Sequence, residues 1–93
     1  MPEPPVARWH PMLALQEREP GHWVLVAQFG QYGDIALVRR NGEVGYRALV
    51  LPVRATAPIE VAFARTLREA TEIVHKHWLA SHALDADRRP SNY

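Results

Sequence analysis

Asn41-Gly42 constrains this chain more than any other pair of residues. It lies between 34–40 and 43–51, two runs rich in Val, Leu, Ile and Ala. A two-residue hairpin loop needs positive φ at both central positions, and Asn-Gly supplies that at the lowest steric cost. A two-residue turn pairs Arg40 with Glu43. The ladder then runs Arg39 to Val44, Val38 to Gly45, Leu37 to Tyr46, Ala36 to Arg47 and Ile35 to Ala48. Alternation sorts the hairpin into two faces. One carries Ile35, Leu37, Arg39, Val44, Tyr46, Ala48 and Val50. The other carries Ala36, Val38, Arg40, Glu43, Arg47, Leu49 and Leu51.

A third strand, 22–29, precedes the hairpin and joins it through Gly30-Gln31-Tyr32-Gly33. Two glycines around a short loop suit a tight reversal. One side of this strand shows Trp23, Leu25, Ala27 and Phe29, the other Val24 and Val26. Neither face of the three strands is cleanly polar. An antiparallel sheet with one wet face alternates apolar and polar residues, so both faces are expected to be covered.

Two elements follow. Ile59 to Phe63 alternates and is rich in β-formers, which predicts a fourth strand. Thr66-Leu67-Arg68-Glu69 is a capping box that opens a C-terminal helix. Leu67, Ala70, Val74 and Trp78 share its apolar stripe, which Ile73, His77, Ala80, Ser81 and Leu84 widen. Glu72 and Lys76 are placed for an i, i+4 pair. At the other end, Trp9-His10-Pro11 leads into Met12 to Glu19, which reads as a short helix or a short strand. Its Trp9, Met12, Leu13 and Leu15 are expected on the second sheet face, near Trp23, Leu25, Val38, Leu49 and Leu51. The predicted fold is α+β: an antiparallel meander of three to four strands packed on a C-terminal helix, with an N-terminal segment covering part of the other face. The predicted organisation is a disordered arm at 1–8, one domain at 9–84 and a disordered tail at 85–93.

Composition narrows the function classes. Ninety-three residues form one domain. With no cysteine, disulfide frameworks and thiolate metal sites are excluded. No apolar run approaches the ~20 residues needed to cross a bilayer, and the first residues lack the apolar core of a signal peptide. The expected location is the cytoplasm, with no membrane association. Formal net charge is +1, with no basic tail or helix.

No chemistry-bearing pattern stands out. His75 and His82 lie about 10 Å apart along a helix, too far to share a metal ion. His77, in the apolar arc, reads as a core histidine. Ser81, Ser91, Thr56, Thr66 and Thr71 sit in no strand-turn-helix elbow, and the glycines form no phosphate cradle. Neither an enzyme, a metal nor a cofactor is expected. Candidate binding residues remain. Arg40 and Arg47 share a sheet face beside Ala36 and Gly45, where arginines of a three-stranded sheet read a DNA major groove or cover apolar surface with their stems. Tyr32 at the sheet rim and Leu79 on the outer side of the helix are of types that serve as interface anchors.

Phe63-Ala64-Arg65-Thr66-Leu67-Arg68-Glu69-Ala70, after three strands, resembles the junction in plant ethylene-response-type DNA-binding domains and in the arm-binding domains of tyrosine integrases. There the helix backs a DNA-reading sheet. A wider resemblance runs through Trp9-His10-Pro11-Met12-Leu13-Ala14-Leu15, Gly21-His22-Trp23-Val24, Tyr32-Gly33, Leu37-Val38-Arg39-Arg40, Val44-Gly45-Tyr46-Arg47 and Leu67-Arg68-Glu69-Ala70. These segments are similar to an uncharacterised family of small proteins of actinobacteria and their bacteriophages. That resemblance implies a non-enzymatic accessory protein, phage-encoded, that binds a host protein. Homodimerisation through apolar sheet faces is a further expectation. The second reading is DNA binding through Arg39, Arg40 and Arg47.

Overall fold

The computed structural model describes residues 9–28 and 30–87, with side chains through Ala83. The arm expected at 1–8 and the end of the tail, 88–93, lie outside the described residues. A 3-10 turn, Pro11–Ala14, leads into five strands and a helix: β1 Leu15–Glu19, β2 His22–Ala27, β3 Gly30–Arg40, β4 Glu43–Val50, β5 Ile59–Ala64 and α1 Leu67–Asp87. The strands form one antiparallel sheet in the order β1-β2-β3-β4-β5, and α1 packs on one of its faces.

The β3–β4 hairpin has the register read from its turn, Arg40 opposite Glu43 through Ile35 opposite Ala48, and extends to Gly33 opposite Val50. Asn41 and Gly42 both take positive φ, 52° and 82°, which matches the right-handed twist of the flanking strands. The segment left open between helix and strand, 12–19, divides. Its first residues form the 3-10 turn, and Leu15–Glu19 is a strand paired with β2. The sheet therefore has one strand more than expected.

Three β-bulges shape the sheet. In β3, Leu25 and Val26 pair with Gly33 and Gln31, so Tyr32 is the extra residue. A bulge puts neighbouring residues on one side of a strand. Tyr32 and Gly33 both meet the helix: Tyr32 stacks on Trp78, and a Cβ on Gly33 would come within 2.7 Å of Val74. In β5, Val61 is the extra residue, and both Val61 and Ala62 pack on the core. In β1, Arg18 is skipped between Glu17 and Glu19. This bulge and the charges of β1 protect a sheet edge against pairing with another chain.

The core lies between the sheet and α1. Leu25, Tyr32, Ile35, Ala48, Val50, Ala64, Ala70 and Val74 form its buried cluster. The predicted helical stripe faces it. Thr71 is also buried, its hydroxyl donating to the Leu67 carbonyl at 2.7 Å. At the helix start, the Glu69 N–H donates to Thr66 Oγ1 at 3.1 Å, as the capping box requires. Helix α1 continues three residues beyond Leu84, where the sequence placed the end of the domain.

Three expectations are corrected. Residues 9–19 do not cover the second face: the 3-10 turn packs on α1 and β2, and Trp9 lies against His75 of the helix. Trp23 and Leu25 belong to the helix side, because they pair with Ile35 and Gly33. Finally, no described element packs on the opposite face, although Val24, opposite Asp34 on that face, is only 2% exposed. We refer to it as the open face.

Candidate binding site on the open sheet face

Strand register places His22, Asp34, Ala36, Val38, Arg40, Arg47, Leu49, Glu60 and Phe63 on the open face. At one end, His22 Nε2 meets Asp34 Oδ2 at 2.8 Å, while its Nδ1 faces Glu19 at 4.0 Å. At the other end, Phe63 lies across Gly45, where a Cβ would come within 2.6 Å of the ring. The Arg40 guanidinium sits 5.0 Å from the Phe63 ring centroid. It also donates end-on to Glu60, Nη1 to Oε2 at 3.1 Å and Nη2 to Oε1 at 2.9 Å. The hydrogen bond from Arg40 lowers the Glu60 pKa, and the charges of Arg40 and Arg47 add to that against some desolvation. The same hydrogen bond raises the Arg40 pKa.

Between these ends lies a recess of about 470 Å³. Leu49, Leu51, Ala36 and Pro58 give it an apolar lining, and His22, Asp34, Gln31 and Arg47 supply its polar side chains. Its size is typical of a small-ligand cleft. Arg47 is unlike Arg40. Its Nε is buried and has no hydrogen-bond partner, and its guanidinium forms no ion pair with the described residues.

Among the described residues, no Ser, Thr or Cys lines the recess. The two ring nitrogens of His22 both face carboxylates. Among the described residues, no three His, Cys, Asp or Glu side chains gather to hold a metal ion.

The sequence-stated candidates separate in space. Arg40 and Arg47 do share a face, as expected. Arg39 points to the other face, opposite Val44, so the three arginines proposed as DNA readers do not form one surface. Leu79 is exposed on α1, on the far side of the sheet from the recess. Tyr32 is 2% exposed and is no surface anchor. The bulge turns it inward, where its hydroxyl lies 3.2 Å from His75 Nδ1 and its ring stacks on Trp78 at 4.3 Å.

His75, rather than His77, is the half-buried histidine of the helix; His77 is exposed. Its ring lies 4.7 Å from Trp9. Desolvation lowers the His75 pKa, and the charge of His10 lowers it further. Burial raises the Tyr32 pKa. Both shifts favour the neutral forms, and the imidazole tautomer sets which of the two groups donates in the Tyr32–His75 hydrogen bond. Glu72, expected to pair with Lys76, meets His10 at 3.2 Å and Arg68 at 3.9 Å.

Sequence reasoning missed the His22–Asp34 pair and the recess beside it. Only the β2–β3 register, bulge included, brings residues twelve apart together. No protein-family model matches this chain, and neither a curated protein nor a solved structure matches it.

Proposed function

We propose that this protein is a non-enzymatic binding module that holds a partner protein on the open face of its sheet. The observation that carries this reading is the face itself: an apolar floor of Val38, Leu49 and Leu51 beside the Arg47 guanidinium, which forms no ion pair with the described residues, and with no described element packed on it. Arginine and apolar groups around a recess are what anchor protein interfaces. The sequence resemblance adds the setting: a phage-type accessory protein of actinobacteria, acting in the cytoplasm on a host protein.

DNA reading is the weaker alternative. Arg40 is neutralised by Glu60 and Arg39 faces away. That leaves Arg47 as the one arginine of the three still available on the face.

The test is a tagged pull-down from an actinobacterial lysate with and without nuclease, using the native chain, Leu49→Asp and Leu79→Asp. One protein should be captured in both conditions. Leu49→Asp should lose it and Leu79→Asp should keep it. Loss with Leu79→Asp alone would move the interface to the helix. Capture that vanishes with nuclease, and a log affinity that falls linearly with log salt, would favour DNA.

A further inference from the structure

We propose that the recess on the open face receives one uncharged aromatic side chain that carries a hydroxyl: a tyrosine of the partner protein. The inference rests on the partner surface proposed above and names the anchor which that surface takes.

The charges of the recess decide against a charged guest. Its polar side chains are His22, Gln31, Asp34 and Arg47. Asp34 and Arg47 bring one charge of each sign, so Asp34 repels an entering carboxylate and Arg47 an entering ammonium. A charge that enters without a free counterpart also pays for its lost hydration, and a neutral polar group pays far less.

The hydrogen-bonding atoms narrow the class. Asp34 Oδ2 is engaged by His22 Nε2 at 2.8 Å. Asp34 Oδ1 has no hydrogen-bond partner among the described residues. Among those residues, the buried side-chain polar atom without a partner is Arg47 Nε, so Asp34 Oδ1 and the terminal nitrogens of Arg47 reach solvent while Nε stays enclosed. The recess thus offers a carboxylate oxygen as acceptor, with the Arg47 terminal N–H groups and the Gln31 amide as donors. A hydroxyl answers both, because it donates and accepts; an indole N–H only donates. Leu49, Leu51, Ala36 and Pro58 supply the rest of the wall. They fit the ring of a tyrosine, apolar in its body and polar at its tip, better than the short side chain of a serine or threonine. A recess of about 470 Å³ has room for such a ring. Tyrosine is also among the residues that dominate binding at protein interfaces.

The experiment is an NMR titration of the full chain, following the backbone amides of Ala36, Leu49 and Leu51. The probes are N-acetyltyrosinamide, N-acetylphenylalaninamide and N-acetyl-4-carboxyphenylalaninamide. The tyrosine compound should shift these amides saturably. The phenylalanine compound should bind about tenfold more weakly, because it lacks the charge-assisted bond to Asp34, and the carboxylate compound should bind no better than phenylalanine. Asp34→Ala should bring the tyrosine compound down to the affinity of the phenylalanine compound. Arg39→Gln, on the other face, should change neither. Asp34→Ala also removes the His22 contact, so the ranking of the three probes on the native chain is a test by itself. The assignment is overturned if the tyrosine compound gives no saturable shift up to its solubility limit, if phenylalanine binds equally well, or if the carboxylate compound binds tightest. A failed titration beside a nuclease-resistant capture that Leu49→Asp abolishes would remove this anchor and leave the partner surface standing. Saturable tyrosine binding without any protein captured would overturn the partner as its source.

Discussion

Tyr32 shows how one extra residue in a strand reassigns a side chain. From its place between two glycines, it reads as a rim residue; the bulge turns it onto α1, where it is 2% exposed. Its two contributions are separable by substitution. Tyr32→Phe keeps the stack on Trp78 and loses the hydrogen bond to His75, so it should cost about 1 kcal/mol in urea unfolding. Tyr32→Ala also loses the ring and should cost about 3–5 kcal/mol, a large share of the total stability of a small domain. His75 makes the same cluster sensitive to pH. Its folded-state pKa is depressed by burial and by His10, so below the ordinary histidine range the unfolded chain binds more protons than the folded one. The His75 contribution to stability is thus complete above the unfolded-state pKa and is lost as pH falls through the folded-state value. Urea midpoints measured between pH 7.5 and pH 5 should fall more steeply for the native chain than for His75→Asn. Equal slopes would show that the histidine does not titrate differently on folding.

The elements are held by local devices and by close approaches, and the two behave differently under substitution. Thr66 caps α1 through the Glu69 N–H. Thr66→Ala should cost about 1 kcal/mol, or a drop of about 4–8 °C in thermal midpoint for a domain of this size. Gly33 is where the helix touches the sheet. A Cβ there would sit 2.7 Å from Val74 and 2.9 Å from Leu25, so Gly33→Ala must push α1 away from β3. Overpacking of this kind costs about 1–3 kcal/mol. The companion change Val74→Ala should restore part of that loss, and a double-mutant cycle reads the coupling. Much of this level was legible in advance. The Asn41-Gly42 turn, the β3–β4 register, the β5 strand, the Thr66 cap and the 67, 70, 74, 78 stripe all follow from residues within a few positions of one another. The β1 strand was not settled in advance, since Met12 to Glu19 carries helix formers and its strand geometry comes from pairing with β2.

At the scale of the molecule, the sheet has two unequal faces. One is sealed by α1 and the 3-10 turn. The other has the recess, Arg47 and the His22–Asp34 pair. Stability should be graded in the same way. All but the first residue of β1 are exposed, and it is an edge strand. β3 and β4 lie at the centre and contribute Tyr32, Ile35, Ala48 and Val50 to the core. Native-state hydrogen exchange should therefore show β1 amides opening well below the global unfolding free energy, with β3 and β4 exchanging only near it. Uniform protection across all five strands would contradict that grading.

The sequence alone determined the α+β class, the hairpin at the centre and the start of the helix. Turn stereochemistry, capping and helical periodicity are short-range, and their energies belong to the residues that carry them. Tertiary structure decided which face α1 covers, where residues 9–19 go, that Tyr32 and Leu25 lie inside, and that Arg40 finds Glu60 while Arg47 keeps a buried nitrogen without an acceptor. The physical reason is parity. Strand side chains alternate with a period of two, so each bulge reverses the assignment of every residue beyond it. Where a bulge falls is set by packing across the sheet, between residues distant in the chain.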